Sequence, residues 1–296
     1  MRLYAALATL VVLVPIASAE RRRHVRPHVE AARVHTEPPM RIRALAPPPV
    51  APPPRPASLT LRSNAIQASV TAEMGMTSGA PVAAPASIAP DLSFGVTDAF
   101  TLSANTSGSA LTGFRGGAGA GICMGGVDRS CRVPFNGGGI EGLVSIATGS
   151  AAFALNAGVM WSAIEPSVHT DLKLGFKLKM SEGKLFALVS PSVWLALDDR
   201  YDRVVPHEDQ LFVPIGLFVK PVAPLALGIG TGVKGPVKHF ADRMAIPLGA
   251  SATYAVDKHW TLGTSFVFGK LFAGSDVMDP GIDARAIQVW VSVLSG

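Results

Sequence analysis

The chain has 296 residues, of which 48% are hydrophobic and only 16% charged, and its mean hydropathy is +0.35. After residue 19 no apolar run approaches the roughly 20 residues of a spanning helix, which excludes a helical membrane protein. The net charge of +5 is local: residues 20–57 carry eight Arg and three Glu, whereas residues 58–296 carry 17 basic and 18 acidic residues, so no nucleic-acid partner is expected for the body.

Residues 1–19 read as a secretory signal peptide. Arg2 is the charged start, Leu7–Ile16 the apolar stretch and Ala17-Ser18-Ala19 the small-residue cleavage site. Residues 20–57 then hold Arg21-Arg22-Arg23, His24, His28 and His35, followed by Pro47-Pro48-Pro49 and Pro52-Pro53-Pro54. Such a segment has too little apolar area to offset chain entropy, and its proline part is extended. It is expected to be a disordered basic and Pro-rich periplasmic arm. Two roles remain open for it, a spacer and a contact to cell wall or anionic lipid.

From residue 66 onward the pattern has period two. Leu172, Leu174, Phe176 and Leu178 interleave with Lys173, Gly175, Lys177 and Lys179. Leu248, Ala250, Ala252 and Tyr254 interleave with Gly249, Ser251 and Thr253, and Ile287, Val289, Val291 and Val293 with Gln288 and Ser292. One face is apolar, and the other carries Gly, Ser, Ala, Thr and charges. Trp194 and Trp290 are the large exceptions on that second face. A soluble barrel keeps its large apolar residues inside, whereas a membrane barrel turns them to lipid. A face of small residues suits a narrow lumen better than a water-exposed surface.

In chain order the strands are expected at 66–76, 86–96, 100–107, 139–147, 153–161, 170–180, 185–197, 211–219, 225–234, 244–255, 261–270 and 285–294. Short turns fall at 97–99, 148–152, 181–184, 220–224 and 256–260. Long loops fall at 77–85, 108–138, 162–169, 198–210, 235–243 and 271–284. This alternation predicts an all-β fold, an antiparallel up-and-down transmembrane β-barrel of about 12 strands over residues 58–296. Both ends of the barrel lie on the short-turn, periplasmic side. Phe100, Phe153, Tyr254 and Trp260 beside short turns, and Trp161, Tyr201, Phe212, Phe240 and Phe272 near long loops, are candidates for interfacial aromatics.

With this pattern, and with hairpin chemistry such as Gly95-Val96-Thr97-Asp98-Ala99-Phe100, residues 66–296 resemble the bacterial outer-membrane β-barrel class, porin-like in form. The resemblance implies location in a bacterial outer membrane, contact with its lipid and with the outer-membrane assembly machinery, and passage of small solutes or a structural role. Members of that class usually finish on an aromatic residue that the assembly machinery reads. This sequence finishes Val291-Ser292-Val293-Leu294-Ser295-Gly296, so either recognition is atypical or Trp290 and Leu294 take over.

The candidate lumen-lining residues are Glu73, Asp91, Glu141, Asp171, Lys173, Lys177, Lys179 and Gln288. The lysines form a basic stripe suited to anionic solutes. The carboxylates offer the alternative of cross-barrel salt bridges that brace the interior. Cys123 and Cys131, the only cysteines, lie in the longest loop and are expected to form a disulfide in an oxidising compartment. Gly116, Gly117, Gly119, Gly121, Gly125 and Gly126 surround them without matching a dinucleotide fingerprint. Asp198, Asp199, Asp202, Glu208 and Asp209 lack the spacing of a calcium loop and read as charges paired with Arg200 and Arg203. His169, His207, His239 and His259 fall in loops or at strand ends without a serine partner by spacing. No metal, cofactor or catalytic residue is expected, and the chain reads as a pore rather than an enzyme. The alternatives are a non-conducting structural or adhesion barrel and a lipid-modifying enzyme.

Overall fold

A computed structural model describes residues 58–76, 86–115, 121–124, 135, 137–164, 167–198, 207–277 and 281–295. The signal peptide and the arm lie outside the described residues. The strands in chain order are β1 (Ile66–Met76), β2 (Ala86–Thr97), β3 (Phe100–Asn105), β4 (Ile122–Met124), β5 (Gly137–Ala147), β6 (Ala151–Ile164), β7 (Ser167–Glu182), β8 (Leu185–Val189), β9 (Ser192–Ala196), β10 (Gln210–Val222), β11 (Leu225–Pro236), β12 (Ala245–Ala255), β13 (Trp260–Ala273) and β14 (Gly281–Ser295). Two short helices join them, α1 (Gly108–Thr112) and α2 (Phe240–Arg243).

Each strand pairs antiparallel with its neighbour, and β1 pairs with β14 from Ile66↔Ser295 to Met76↔Arg285, which closes the sheet. The result is a closed 12-strand barrel, because β8 and β9 occupy one position and β4 extends the wall beyond β3 on β2. Closure gives β1 and β14, the first and last strands, a partner on each side, as spanning hydrocarbon requires.

The barrel is inside-out relative to a soluble protein. Leu92, Leu102, Ile140, Leu155, Leu174, Leu217, Ile229 and Val289 are exposed on the outer face, whereas Glu73, Glu141, Asn156, Asp171, Lys173 and Gln288 are buried within. Small residues admit large neighbours to the lumen. The Trp290 indole lies over Gly263, and the Phe218 ring lies against Gly216 and Gly228.

Three departures from the sequence reading have local causes. First, the expected strand 185–197 breaks at Ser190 and Pro191, because proline has no N–H to donate. Phe176 N–H still donates to the Pro191 carbonyl (3.1 Å) and Ser190 N–H to the Pro214 carbonyl (3.2 Å), so the wall stays sealed. Second, residues 162–164 and 167–169 of the expected long loop are strand: β6 and β7 pair out to Ile164↔Ser167. His169 therefore sits on a strand opposite Ser162. Third, Phe212 is not interfacial. Its register with Ser192 puts it on the lumen face, where it packs on Trp194 at 4.9 Å. Tyr254, Trp260 and Phe272 are exposed, as interfacial rings would be.

The short-turn end has its own fastenings. Asp257 accepts the N–H groups of His259 (2.6 Å) and Trp260 (2.7 Å) in the turn between β12 and β13. The Trp260 N–H, then that of His259, holds its carboxyl below the usual range. Residues before β1 lie along the β2–β3 hairpin. Leu61 N–H donates to Thr101 Oγ1 (2.8 Å), Ser63 N–H to Asp98 Oδ1 (2.9 Å) and Asn64 N–H to the Gly95 carbonyl (2.7 Å). Gly95 is required there, since a Cβ would stand 1.8 Å from the Arg62 carbonyl oxygen.

Candidate functional site

Inward-facing side chains follow from register. Glu73 pairs with Ser87 and Gln288, Ser103 with Glu141, Glu141 with Gly158, and Gly158 with Lys173, so these residues form one belt around the inner wall. Asp91, opposite Ser69, lies four register positions from the Glu73↔Ser87 pair on the same face, and Asp171, Lys177 and Lys179 lie at even spacing from Lys173.

The belt holds a piece of the chain inside the barrel. After β3 the chain turns inward, and α1, Phe114 and Arg115 occupy the lumen. Ser107 caps α1, its hydroxyl accepting the Ala110 N–H (3.2 Å). Asp91 anchors the entry, accepting Thr106 N–H (2.7 Å), Ser107 N–H (2.9 Å) and the Ser107 hydroxyl (2.6 Å). Glu73 accepts Gly108 N–H (3.2 Å) and Gln288 Nε2–H (2.6 Å), and Gln288 in turn accepts the Ser265 hydroxyl (3.1 Å). The far end of α1 is held by Lys173, whose Nζ donates to the Leu111 carbonyl (2.7 Å) and to Glu141 Oε2. Gly113 ends the helix at φ +80° and lies so close to Pro214 that a Cβ would stand 2.5 Å from its Cγ. Arg115 lies over the Trp290 ring, 4.2 Å from its centroid, and Lys234 faces Phe114 at 5.8 Å.

α1 borders three spaces in the lumen. One is a cavity of about 310 Å³ lined by Arg115, Lys173 and Lys177 together with Thr112, Ser190 and Thr231, and among the described residues no carboxylate lines it. Two further spaces of about 200 and 250 Å³ are bordered by Asp91, the first also by Glu141 and Lys177 and the second by Gln288 and Arg115. Glu141 is partnered by Lys173 and by Lys177 at 3.2 Å. Towards the short turns Lys179 and Lys220 approach the Phe186 ring (5.2 and 5.5 Å), which stacks on Phe218 at 4.6 Å.

Residues that the sequence set apart meet at the opposite rim. Asp171 approaches His207 Nε2 at 3.1 Å, and the other ring nitrogen of His207 lies 2.8 Å from Asp198. Glu208 pairs with Arg243, and Asp209 accepts the Ala196 N–H (2.9 Å). Asp199, Arg200, Asp202 and Arg203 lie outside the described residues. So do the surrounding glycines other than Gly121, and Cys131; Cys123 is on β4 opposite Ser87. His259 Nδ1 faces the Leu294 carbonyl (2.8 Å), and His239 precedes α2 with φ +55°.

No protein-family model and no curated protein sequence matches the chain. Solved structures of similar form do. The NanC porin is 10% identical, with 76% of this chain and 98% of that one covered and a TM-score of 0.48. The CymD monoaromatic hydrocarbon channel is 8% identical over 79% and 88%, with a TM-score of 0.43. Outer membrane phospholipase A from Escherichia coli, as an active-site mutant, is 11% identical over 80% and 92%, with a TM-score of 0.41. The fold is a closed antiparallel β-barrel with an apolar outer face and a polar interior. What the lumen admits depends on this chain's own side chains.

Proposed function

We propose that this barrel sits in a bacterial outer membrane as a narrow pore for small anionic solutes, with α1 as its constriction. The supporting observation is the cavity beside α1, which presents Arg115, Lys173 and Lys177 with hydroxyls and, among the described residues, no carboxylate. In a low-dielectric, water-poor passage such groups replace the hydration of an anion and repel cations. Glu141 offsets part of the lysine charge by pairing directly with Lys173 and Lys177, and Arg115 adds a further cation. Reconstituted in planar bilayers under a salt gradient, the chain is expected to give reproducible single-channel steps whose reversal potential favours chloride. Arg115→Glu together with Lys177→Glu is expected to swing that preference towards cations. Silence in the bilayer would favour the sealed structural barrel, a reading supported by the ties at both ends of α1.

A lipid-modifying activity has less support. A hydrolase needs a serine hydroxyl against a histidine. Among the described residues His207 has a carboxylate at each ring nitrogen, and His259 Nδ1 faces a backbone carbonyl. We also propose that Cys123 and Cys131 are joined. In the refolded chain neither thiol is then alkylated until a reductant is added, and one alkylation event per chain without reductant would refute the bridge.

A further inference from the structure

Four ionisable side chains meet at the long-loop rim, apart from the cavity beside α1. His169 and Asp171 come from the same face of β7, Asp198 from just past β9, and His207 from just before β10. His169 and Asp171 are buried. Asp198 Oδ2 accepts the Thr170 N–H (2.8 Å), which fixes the carboxylate. Its Oδ1 is then approached by two imidazoles, His207 Nδ1 at 2.8 Å and His169 Nδ1 at 3.5 Å. The two rings lie 4.5 Å apart, and ligand atoms of His169, Asp198 and His207 all fall within 4.8 Å of one another.

The hydrogen inventory is informative. A neutral imidazole carries one N–H. His207 faces a carboxylate oxygen with each nitrogen, Asp171 at Nε2 and Asp198 at Nδ1. One N–H satisfies one side only, and the other contact calls for a second positive centre. A second proton on His207 would supply it for that ring alone, while the His169 ring stands 4.5 Å away with its Nδ1 3.5 Å from the same Asp198 oxygen. A single metal ion among the three donors serves both rings and Asp198 at once. Asp171 then accepts the Nε2–H of His207, the carboxylate–histidine–metal arrangement that fixes a tautomer and turns the other nitrogen to the ion.

We propose that His169, His207 and Asp198 form a site for a divalent transition-metal ion such as Zn²⁺, with Asp171 as the positioning carboxylate. Two imidazoles and one carboxylate select zinc, copper or nickel over calcium and magnesium, which take oxygen ligands. Three protein ligands leave one coordination position for water or an incoming group. The ion would tie both ends of the β9–β10 connection to β7 at the rim of the barrel.

The test uses the refolded full chain in detergent, in a background where His24, His28 and His35 are changed to Asn so that the arm offers no imidazole. Zn²⁺ is titrated by calorimetry and by competition with a chromogenic chelator. One Zn²⁺ per barrel is expected, undisturbed by millimolar Ca²⁺. His207→Gln is expected to abolish it, and Asp171→Asn to weaken it about 10–100-fold. Because a rim variant can misfold, Co²⁺ is also bound to the barrel with its rim residues unaltered, where visible absorption bands of a four-coordinate nitrogen and oxygen site are expected. No Zn²⁺ uptake, uptake unchanged by His207→Gln in a folded barrel, or Co²⁺ spectra identical to the aqueous ion would each overturn the site. Pore conductance is measured separately and bears only on the solute pathway.

Discussion

Lys173→Met is expected to lower the unfolding free energy of the barrel by about 3 kcal/mol, the lower end of the range for breaking a buried ion pair. Lys173 and Glu141 side chains are 4% and 3% exposed. Methionine preserves much of the aliphatic stem and removes only the ammonium, so packing is a small part of the loss. What remains is a buried carboxylate whose other partner, Lys177, is 3.2 Å away and 30% exposed. That surviving partner is why the low end of the range applies. The same change removes the donor to the Leu111 carbonyl and so frees the far end of α1. Urea unfolding in detergent and the heat-dependent gel mobility of the folded barrel measure the loss. Lys173→Met combined with Glu141→Leu is expected to recover most of it, since the uncompensated charge is then gone. Equal losses in the single and double variants would mean that packing, not charge, sets the cost.

The barrel was legible in the sequence because period two is a property of single strands. Leu172 to Lys179 alternates whatever the rest of the chain does, and lipid contact requires the alternation to run apolar-out. The strand number followed because short turns cannot be mistaken for long loops on one side of an up-and-down barrel. Less was legible where pairing partners decide. Residues 162–169 looked like a long loop, yet pairing of β6 with β7 runs out to Ile164↔Ser167. The rim cluster was hidden for the same reason: His169, Asp198 and His207 belong to three segments, and only the neighbouring positions of β7, β9 and β10 bring them together. α1 was hidden differently. A five-residue helix has no periodic signal, and its place depends on Asp91 and Glu73, distant strand residues whose charges the sequence could assign only to the lumen in general.

Asp91→Ala is expected to raise single-channel conductance several-fold. A helix of five residues has no stability of its own in water. α1 stays folded across the lumen because its entry is bonded to the wall. Asp91 accepts three of those bonds, two from backbone N–H groups and one from the Ser107 hydroxyl. Bonds to a charged acceptor contribute about 1.5–3 kcal/mol each, and Ser107 is fully buried, so its hydroxyl loses its acceptor without gaining bulk water. Glu73 and Lys173 still hold Gly108 and Leu111. The expected state is therefore a helix that leaves and returns, seen as noisy, enlarged conductance with weaker anion preference as Arg115 moves off Trp290. Gly113→Ala attacks the opposite end through a different cause. Its φ of +80° and the 2.5 Å approach to Pro214 leave no room for a Cβ, and the helix should again be displaced. Two variants that share no hydrogen bond and no side chain should thus produce the same electrical phenotype. If both leave conductance and selectivity at the level of the unaltered barrel, α1 does not stand in the path of the ions.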